Sequence, residues 1–483
     1  MTGNLANRTI KGSIWSFLDN ISNQGITFVV GLILARMLGP DEYGLIGIIT
    51  IFIALFTTLA DSGISTALIR DTNTESIDYD TAYWTNVVLG ILMYFCLFII
   101  SPFIASFFHR SELVPLTRVM GMVLIINSFS IVQRTIFTKE LNFKKQTIIS
   151  LISSITSGFV GIVLAYIGWG VWSLVAQQIT RQSLQTIFSW IYSNWSPSCR
   201  FSIISFHNMF NFGWKIMLSG AINTLWNEAY QIVIGRCYLP ATLGQYTRAK
   251  QFADIFSTNI TSVVQRVTFP SLAEIHSNIS RMKNAYRRIL GIVSIITFTL
   301  LFGLAGIADN LIYVLLGEQW VEAASFLPII CFQCLTYPVN SLNLNILMVK
   351  GRSDIYLYLE VVKKIFAVIP LLLGIFIDIY WMLWASVIYG VIAFILNAHF
   401  SGKRIGYSVY EQVKDLSPAF WCSLCMFVLV FSLNSLDMSE YLLLPLQILL
   451  GGCFIIVIFI LTKNKDFLYL WNITKKLVFK YKG

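Results

Sequence analysis

Charge is what this sequence has least of. Of its 483 residues only 12% are Asp, Glu, Lys or Arg and 56% are hydrophobic, where an ordinary soluble protein carries about 25% charged residues. That balance excludes a soluble globular chain. The mean hydropathy of +0.71 marks an integral membrane protein, with apolar stretches of about 20 residues, the length that spans a bilayer, following one another almost end to end. Long polar segments are also lacking, so little remains for a soluble domain. No Gly-rich phosphate cradle, nucleotide motif or paired-carboxylate signature is present, which argues against ATP-driven transport by this chain alone. No cofactor is expected. His109, His207, His276 and His399 are scattered without ligand spacing, so no metal site is expected. Cys331 with Cys334 and Cys422 with Cys425 have the spacing of metal or redox pairs, but both pairs sit in apolar runs and read as core thiols. Met1–Gly12 is polar and does not open a cleavable signal peptide, so the first helix is expected to stay in the mature protein.

What is present is a repeat. Arg36-Met-Leu-Gly-Pro40-Asp-Glu-Tyr-Gly44 returns 200 positions later as Arg236-Cys-Tyr-Leu-Pro240-Ala-Thr-Leu-Gly244, with Arg, Pro and Gly at identical spacing. The same offset pairs Asn23 with Asn223, Phe52 with Phe252, Phe56 with Phe256 and Thr58 with Thr258. Each copy reads as a long apolar helix, a turn in which Pro stops the helix and Gly relaxes the backbone, and a second long helix.

Apolar runs between polar breaks give about fourteen spans. They lie near Ser13–Met37, Tyr43–Ile64, Ala82–Phe107, Leu116–Ile136, Thr147–Ile167 and Val171–Tyr192, then near Met209–Ile234, Gly244–Val264, Ile289–Ile307, Phe326–Val349, Ile355–Ile377 and Tyr380–Phe400. Two more, near Ala419–Leu433 and Tyr441–Leu461, precede a basic tail. The expected fold is all-α: two six-helix bundles, residues 1–200 and 201–402, as parallel repeats, with two extra helices and the tail in 403–483. The net charge of +10 follows the positive-inside rule and not a nucleic-acid surface, because the basic residues alternate with apolar spans. With a cytoplasmic N-terminus, 24 of the 34 Lys and Arg fall inside, 6 outside and 4 within spans, which favours both termini in the cytoplasm.

Charge within a span costs several kcal/mol unless it faces protein or water. Asp19, Lys215 and Glu228 lie within spans one and seven, and Arg248, Lys250 and Asp254 open span eight. Glu360, Lys363 and Lys364 lie in span eleven. Glu360 with Lys364, and Lys250 with Asp254, have the i,i+4 spacing of mutually satisfied pairs. Lys215 has no acid one turn away in its own helix, so its partner is Asp19 across the repeat or a substrate anion. The amides Asn23, Asn223 and Asn227 would be unsatisfied in lipid and are expected to line a wet cavity or a helix seam. Trp15, Trp226, Tyr230 and Tyr246 could offer ring faces to sugars.

Leu34-Ala-Arg-Met-Leu-Gly-Pro-Asp-Glu-Tyr-Gly-Leu after the first span, Phe137-Thr-Lys-Glu-Leu-Asn-Phe-Lys-Lys145 after the fourth, and the fourteen-span layout resemble the polysaccharide flippases of the multidrug/oligosaccharidyl-lipid/polysaccharide exporter superfamily, especially the WzxC-like branch for lipopolysaccharide, O-antigen and capsule. The resemblance implies alternating access around a cavity lined by spans one, two, seven and eight. It implies movement of an undecaprenyl-pyrophosphate-linked oligosaccharide from the inner to the outer leaflet of a bacterial inner membrane. Its lipid II branch carries arginines in the first helix where this chain has Asp19, so Lys215, Arg248 and Lys250 are assigned to the anion on physical grounds. Asp19, Asp61 and Glu228 are the candidates for linkage to H⁺ or Na⁺. The expected partners are the lipid-linked oligosaccharide, membrane lipids and polysaccharide-assembly proteins, with no nucleic acid. The alternatives are an ion-coupled drug exporter of the same superfamily, and a membrane glycan polymerase or ligase, which the short outer loops disfavour.

Overall fold

The computed structural model describes residue 15 and residues 22–71, 73–275 and 277–480, apart from the side chains of 267, 473, 474 and 476–480. Within them every regular element is helical, as expected. By contacts the chain forms two compact units, Met1–Gly244 and Gln245–Gly483.

In the first unit, α1 covers residues 22–37 and α2 Pro40–Asp61. Pro40 opens α2 at a position where its missing N–H leaves no helical bond unmade. Ser62 and Gly63, at φ of 48° and 69°, end it in the left-handed region, and α3 (Ile64–Arg70) follows. The third span is α4 (Ser76–Phe108). The fourth is not one helix but α5 (Leu113–Met120), α6 (Met122–Ser128) and α7 (Ile131–Lys139), with a 45° bend before α7. The physical cause is local. The hydroxyls of Ser128 and Ser130 bond back to the carbonyls of Ile125 (2.7 Å) and Asn127 (3.1 Å), competing with the helical ladder where the chain bends. The fifth and sixth spans are α8 (Phe143–Tyr166) and α9 (Val171–Tyr192). The seventh is α10 (Ile203–Asn227) and α11 (Ala229–Cys237), interrupted at Glu228.

The seventh span groups with the first unit for visible reasons. The polar link before it is tied to the start of α4: Ser198 N–H donates to Asp80 (3.1 Å), Trp84 Nε1 to the Ser198 carbonyl (3.0 Å) and Ser202 N–H to Thr81 (3.0 Å). Beyond the link, α10 and α11 run against α2 along glycines. A Cβ on Gly213 would lie 2.4 Å from the Ser62 carbonyl oxygen, and one on Gly63 2.4 Å from that of Gly213. Gly220 meets Thr58, and Gly235 meets Ile48. At the far end the two repeat turns interlock reciprocally: a Cβ on Gly44 would lie 1.8 Å from the Pro240 carbonyl oxygen, and one on Gly244 2.0 Å from that of Pro40. The motif glycines are therefore needed for close backbone approach. Both turns lie on one face, the arrangement that parallel repeats require.

From Pro240 the eighth span is α12 (Pro240–Glu274). In the second unit follow α13 (Ile279–Gly306), α14 (Ala308–Leu316), α15 (Val321–Cys334) and α16 (Tyr337–Val349), the last two separated at the tenth span's break before Pro338. Then come α17 (Ser353–Phe376), α18 (Ile379–Ile405), α19 (Val409–Ser432), α20 (Glu440–Leu461) and α21 (Lys465–Lys480). The helix α13 packs most extensively on α19, and α17 on α18. Buried polar groups knit the core: Tyr286 and Ser401 both donate to Asn343 Oδ1, at 2.8 and 2.6 Å. The pairs Lys283–Glu411 (3.0 Å) and Arg287–Asp415 (2.5 Å) clip α13 to α19. The basic tail is mostly helical as α21, which docks through stacking of Phe459, Phe467 and Trp471 and through Arg288 over the Tyr469 ring at 4.1 Å.

Among the described residues eight helical stretches, one of them the run Glu318–Val349 that holds α15 and α16, or nine counting the bent fourth span, are long and apolar enough to cross a membrane. The other expected spans fall on α1, α9, α10 with α11, α12 and α17. Those are the helices that carry the amides and intramembrane charges.

Candidate functional site

The helix α10 has two unlike faces. Small residues pack one side on α2, with Gly213 and Ala221 buried. The other side carries Asn211, Lys215, Ser219, Asn223 and Asn227, all exposed and spaced four residues apart. Exposed His207 extends the row at one end, and half-buried Gln231 extends it into α11. At 1.5 Å per residue the rungs stand about 6 Å apart, and the row turns about 40° around the helix at each step. A polar group left without a hydrogen-bond partner in hydrocarbon costs roughly 1–3 kcal/mol. A lysine on that face would add the larger cost of a charge. The exposed face therefore meets water or a polar ligand.

Lys215, at the middle of α10, makes no hydrogen bond or ion pair among the described residues. Its suggested partner Asp19 lies outside the described residues. Asn223 and Asn227 stand on the same row as Lys215. Asn23 does not join them: its Oδ1 accepts from Ser154 Oγ (2.6 Å) on α8 and from Arg181 Nη2 (3.1 Å) on α9. Glu228 sits at the break between α10 and α11 and accepts from the Gln231 amide. Asp61, at the end of α2, accepts from Ser65 Oγ and lies within electrostatic reach of Arg134. In the second unit Arg248 Nη1 donates to Gln251 Oε1 at 2.5 Å, and Lys250 and Asp254 both act through charge on Cys334. Glu360 is held by Lys363 at 2.5 Å, one residue before the expected Lys364.

Of the proposed ring faces, Trp15 has Lys144 Nζ 5.8 Å from its ring, and Tyr246 is 3% exposed and so is unavailable to a sugar. Sequence reading missed His207, Asn211 and Ser219. The signal is a polar residue at every fourth position of the seventh span, of which the charge Lys215 and the amides Asn223 and Asn227 are only part. No carboxylate pair or His and Cys cluster able to hold a metal occurs among the described residues.

A family described as polysaccharide biosynthesis protein matches residues 33–325. The lipopolysaccharide biosynthesis protein WzxC of Escherichia coli (strain K12) is 26% identical over 373 residues, 77% of this chain and 76% of that protein. The succinoglycan biosynthesis transport protein ExoT of Rhizobium meliloti (strain 1021) is 25% identical over 324 residues, 67% of this chain and 66% of that protein. Among solved structures, the lipid II flippase MurJ in its inward closed conformation superposes with a TM-score of 0.74 at 14% identity, covering 94% of this chain and 99% of that one. That likeness establishes the fold.

Proposed function

The chain belongs to the polysaccharide biosynthesis protein family, and from that premise we propose that it is a flippase, carrying an undecaprenyl-pyrophosphate-linked oligosaccharide from the cytoplasmic to the outer leaflet of a bacterial inner membrane. The observation that carries this reading is the row of polar side chains along α10 with a cation at its middle. Lys215 offers the pyrophosphate charge-assisted hydrogen bonds in a setting less screened than bulk water. The hydroxyl and amides of Ser219, Asn223 and Asn227, one rung every 6 Å or so, offer sugar hydroxyls a succession of partners. The polyprenyl tail stays in lipid.

The family and the relatives support transport in polysaccharide assembly and give no support to a glycan polymerase. A row of neutral amides around a lysine also suits an anionic sugar carrier better than a cationic drug. Within this reading both termini are cytoplasmic, the bundles correspond to residues 1–200 and 201–402 with 403–483 appended, and Arg248 and Lys250 are secondary anion contacts. Asp19, Asp61 and Glu228 are the candidate groups for H⁺ or Na⁺ linkage, and polysaccharide-assembly proteins are the candidate partners.

Lys215→Ala should abolish surface glycan assembly at unchanged protein level, and Lys215→Arg should retain part of it because charge survives while geometry changes. Recovery of surface glycan in the Lys215→Ala, Asp19→Ala double variant would overturn the substrate-binding role and leave Lys215 as a clasp to Asp19.

A further inference from the structure

The ends of three helices in the first unit line a cavity of about 270 Å³, with the apolar Phe137 and Ile149 among polar side chains and no residue in common with the exposed row on α10. Its wall includes Arg134 and Thr138 of α7, Gln146 and Ser150 of α8, and Gln185 and Ser189 of α9. These positions lie within about three turns of the α7 C-terminus, the α8 N-terminus and the α9 C-terminus, which are the cytoplasmic ends in the proposed topology.

The wall has a surplus of donors and one sign of charge. Arg134 contributes the charge, and no Asp or Glu is among the lining residues. Its Nη2 donates to Asn127 and, at 2.8 Å, to Ser130 Oγ, while its shielded Nε–H has no acceptor among the described residues. Ser189 is 1% exposed, and its hydroxyl has no partner among the described residues. Gln146 Nε2 is already used by Thr138 Oγ1 at 2.9 Å. Nearby lysines are committed elsewhere: Lys145 to the Tyr192 carbonyl at 2.8 Å, and Lys139 to those of Leu68 and Asp71 at 3.0 and 2.6 Å. Asp61 acts on Arg134 through charge but forms no ion pair with it among the described residues. It offsets part of the cation's field without filling the cavity. A guanidinium and neutral donors lining one cavity, with no acid among the lining residues, suit an acceptor-rich ligand of low charge.

We propose that this cavity binds a phosphate-type oxyanion, as inorganic phosphate or as the phosphodiester of an anionic phospholipid headgroup. Arg134 supplies the charge, and Ser150, Gln185 and Ser189 supply neutral donors. The partial compensation by Asp61 suits a singly charged phosphodiester better than a polyanion, so the site is separate from the one proposed for pyrophosphate.

The test uses the purified, delipidated full chain with no transport substrate present, so its failure leaves the flippase reading untouched. Inorganic phosphate is titrated by equilibrium dialysis, and phosphatidylglycerol is compared with phosphatidylcholine by native mass spectrometry. Saturable one-to-one binding of phosphate, of phosphatidylglycerol in preference to phosphatidylcholine, or of both is expected. Arg134→Gln should weaken it about tenfold or more, as loss of a charge-assisted contact does, and Gln185→Leu several-fold at an unchanged melting temperature. Displacement of phosphatidylglycerol by phosphate would assign the headgroup, and phosphate binding alone would assign the free anion. Absence of saturable binding of either probe overturns the proposal. So does equal binding by wild type and Gln185→Leu, the variant that decides if Arg134→Gln does not fold.

Discussion

Two helices of nearly equal length, α10 and α17, each hold a lysine near mid-helix, and the two lysines have opposite surroundings. Lys363 is 8% exposed and its Nζ sits 2.5 Å from Glu360 within the second unit. Lys215 is exposed, and no described residue bonds it. The first is a satisfied pair whose loss leaves a partly exposed carboxylate without its counter-charge. The second is a cation held ready on a polar row. Burial and partner, not residue type, separate a structural intramembrane charge from a functional one.

The sharpest test of that contrast is to remove both charges. Lys363→Met should destabilise the protein by about 1 kcal/mol, since a third of the Glu360 side chain stays exposed and solvent screens part of the lost attraction. Lys215→Met should stay within about 0.5 kcal/mol, as substitutions away from packed features do. Thermal unfolding in one detergent measures both, and Lys363→Met with Glu360→Gln should recover most of the loss. A large loss from Lys215→Met would break the comparison.

The packed sides of the two helices differ as well. A Cβ on Gly213 of α10 meets the Ser62 carbonyl at 2.4 Å, whereas one on Gly374 of α17 meets the Met382 sulfur at 2.6 Å. Backbone cannot yield and a methionine side chain can. Gly213→Ala should therefore cost about 1–3 kcal/mol, visible as a lower melting temperature, and Gly374→Ala clearly less. Equal losses would show that the α2–α10 seam opens as readily as a side chain turns.

The smallest effect is expected at the helix starts. Ser202 caps α10 by accepting from the Ser205 N–H at 3.2 Å, a contact that does not titrate near neutral pH. At the start of α17 Arg352 grips Asp354 with two hydrogen bonds, at 2.8 and 2.5 Å, and holds its carboxyl down at about 2. A lowered carboxyl contributes stability that is full above its unfolded value near 3.8 and is lost as pH falls toward 2. Because the pair is exposed, Asp354→Asn should leave the melting temperature at pH 7 almost unchanged. It should slightly flatten the acid limb of the stability profile between about pH 4 and 2, where an unchanged limb would assign the contact no energetic role.

Much of the candidate site was legible in the chain. Lys215, Asn223 and Asn227 stand out as polar residues in an apolar run, and their helical spacing places them on one row. Asn23 was legible only as an amide within a span. Its engagement by Ser154 and Arg181 depends on α8 and α9 lying beside α1, which no periodicity within one helix encodes. Asp61 likewise looked like an isolated acid until α7 brought Arg134 within reach. The bend that places Arg134 comes from serine hydroxyls competing for backbone carbonyls, a local cue too weak to read among many serines.

The sequence by itself determined that the chain is a bundle of membrane helices with a duplicated helix–turn–helix. Hydrophobic length and the spacing of Arg, Pro and Gly are one-dimensional properties that survive without knowledge of any neighbour. Only the tertiary structure decided why Gly44 and Gly244 are needed, which face of α10 is sealed and which is open, and which of two intramembrane lysines is already paired. Each of those depends on the approach of segments far apart in the chain, at distances where one added carbon or one nearby carboxylate changes the energy by more than the local sequence preference can.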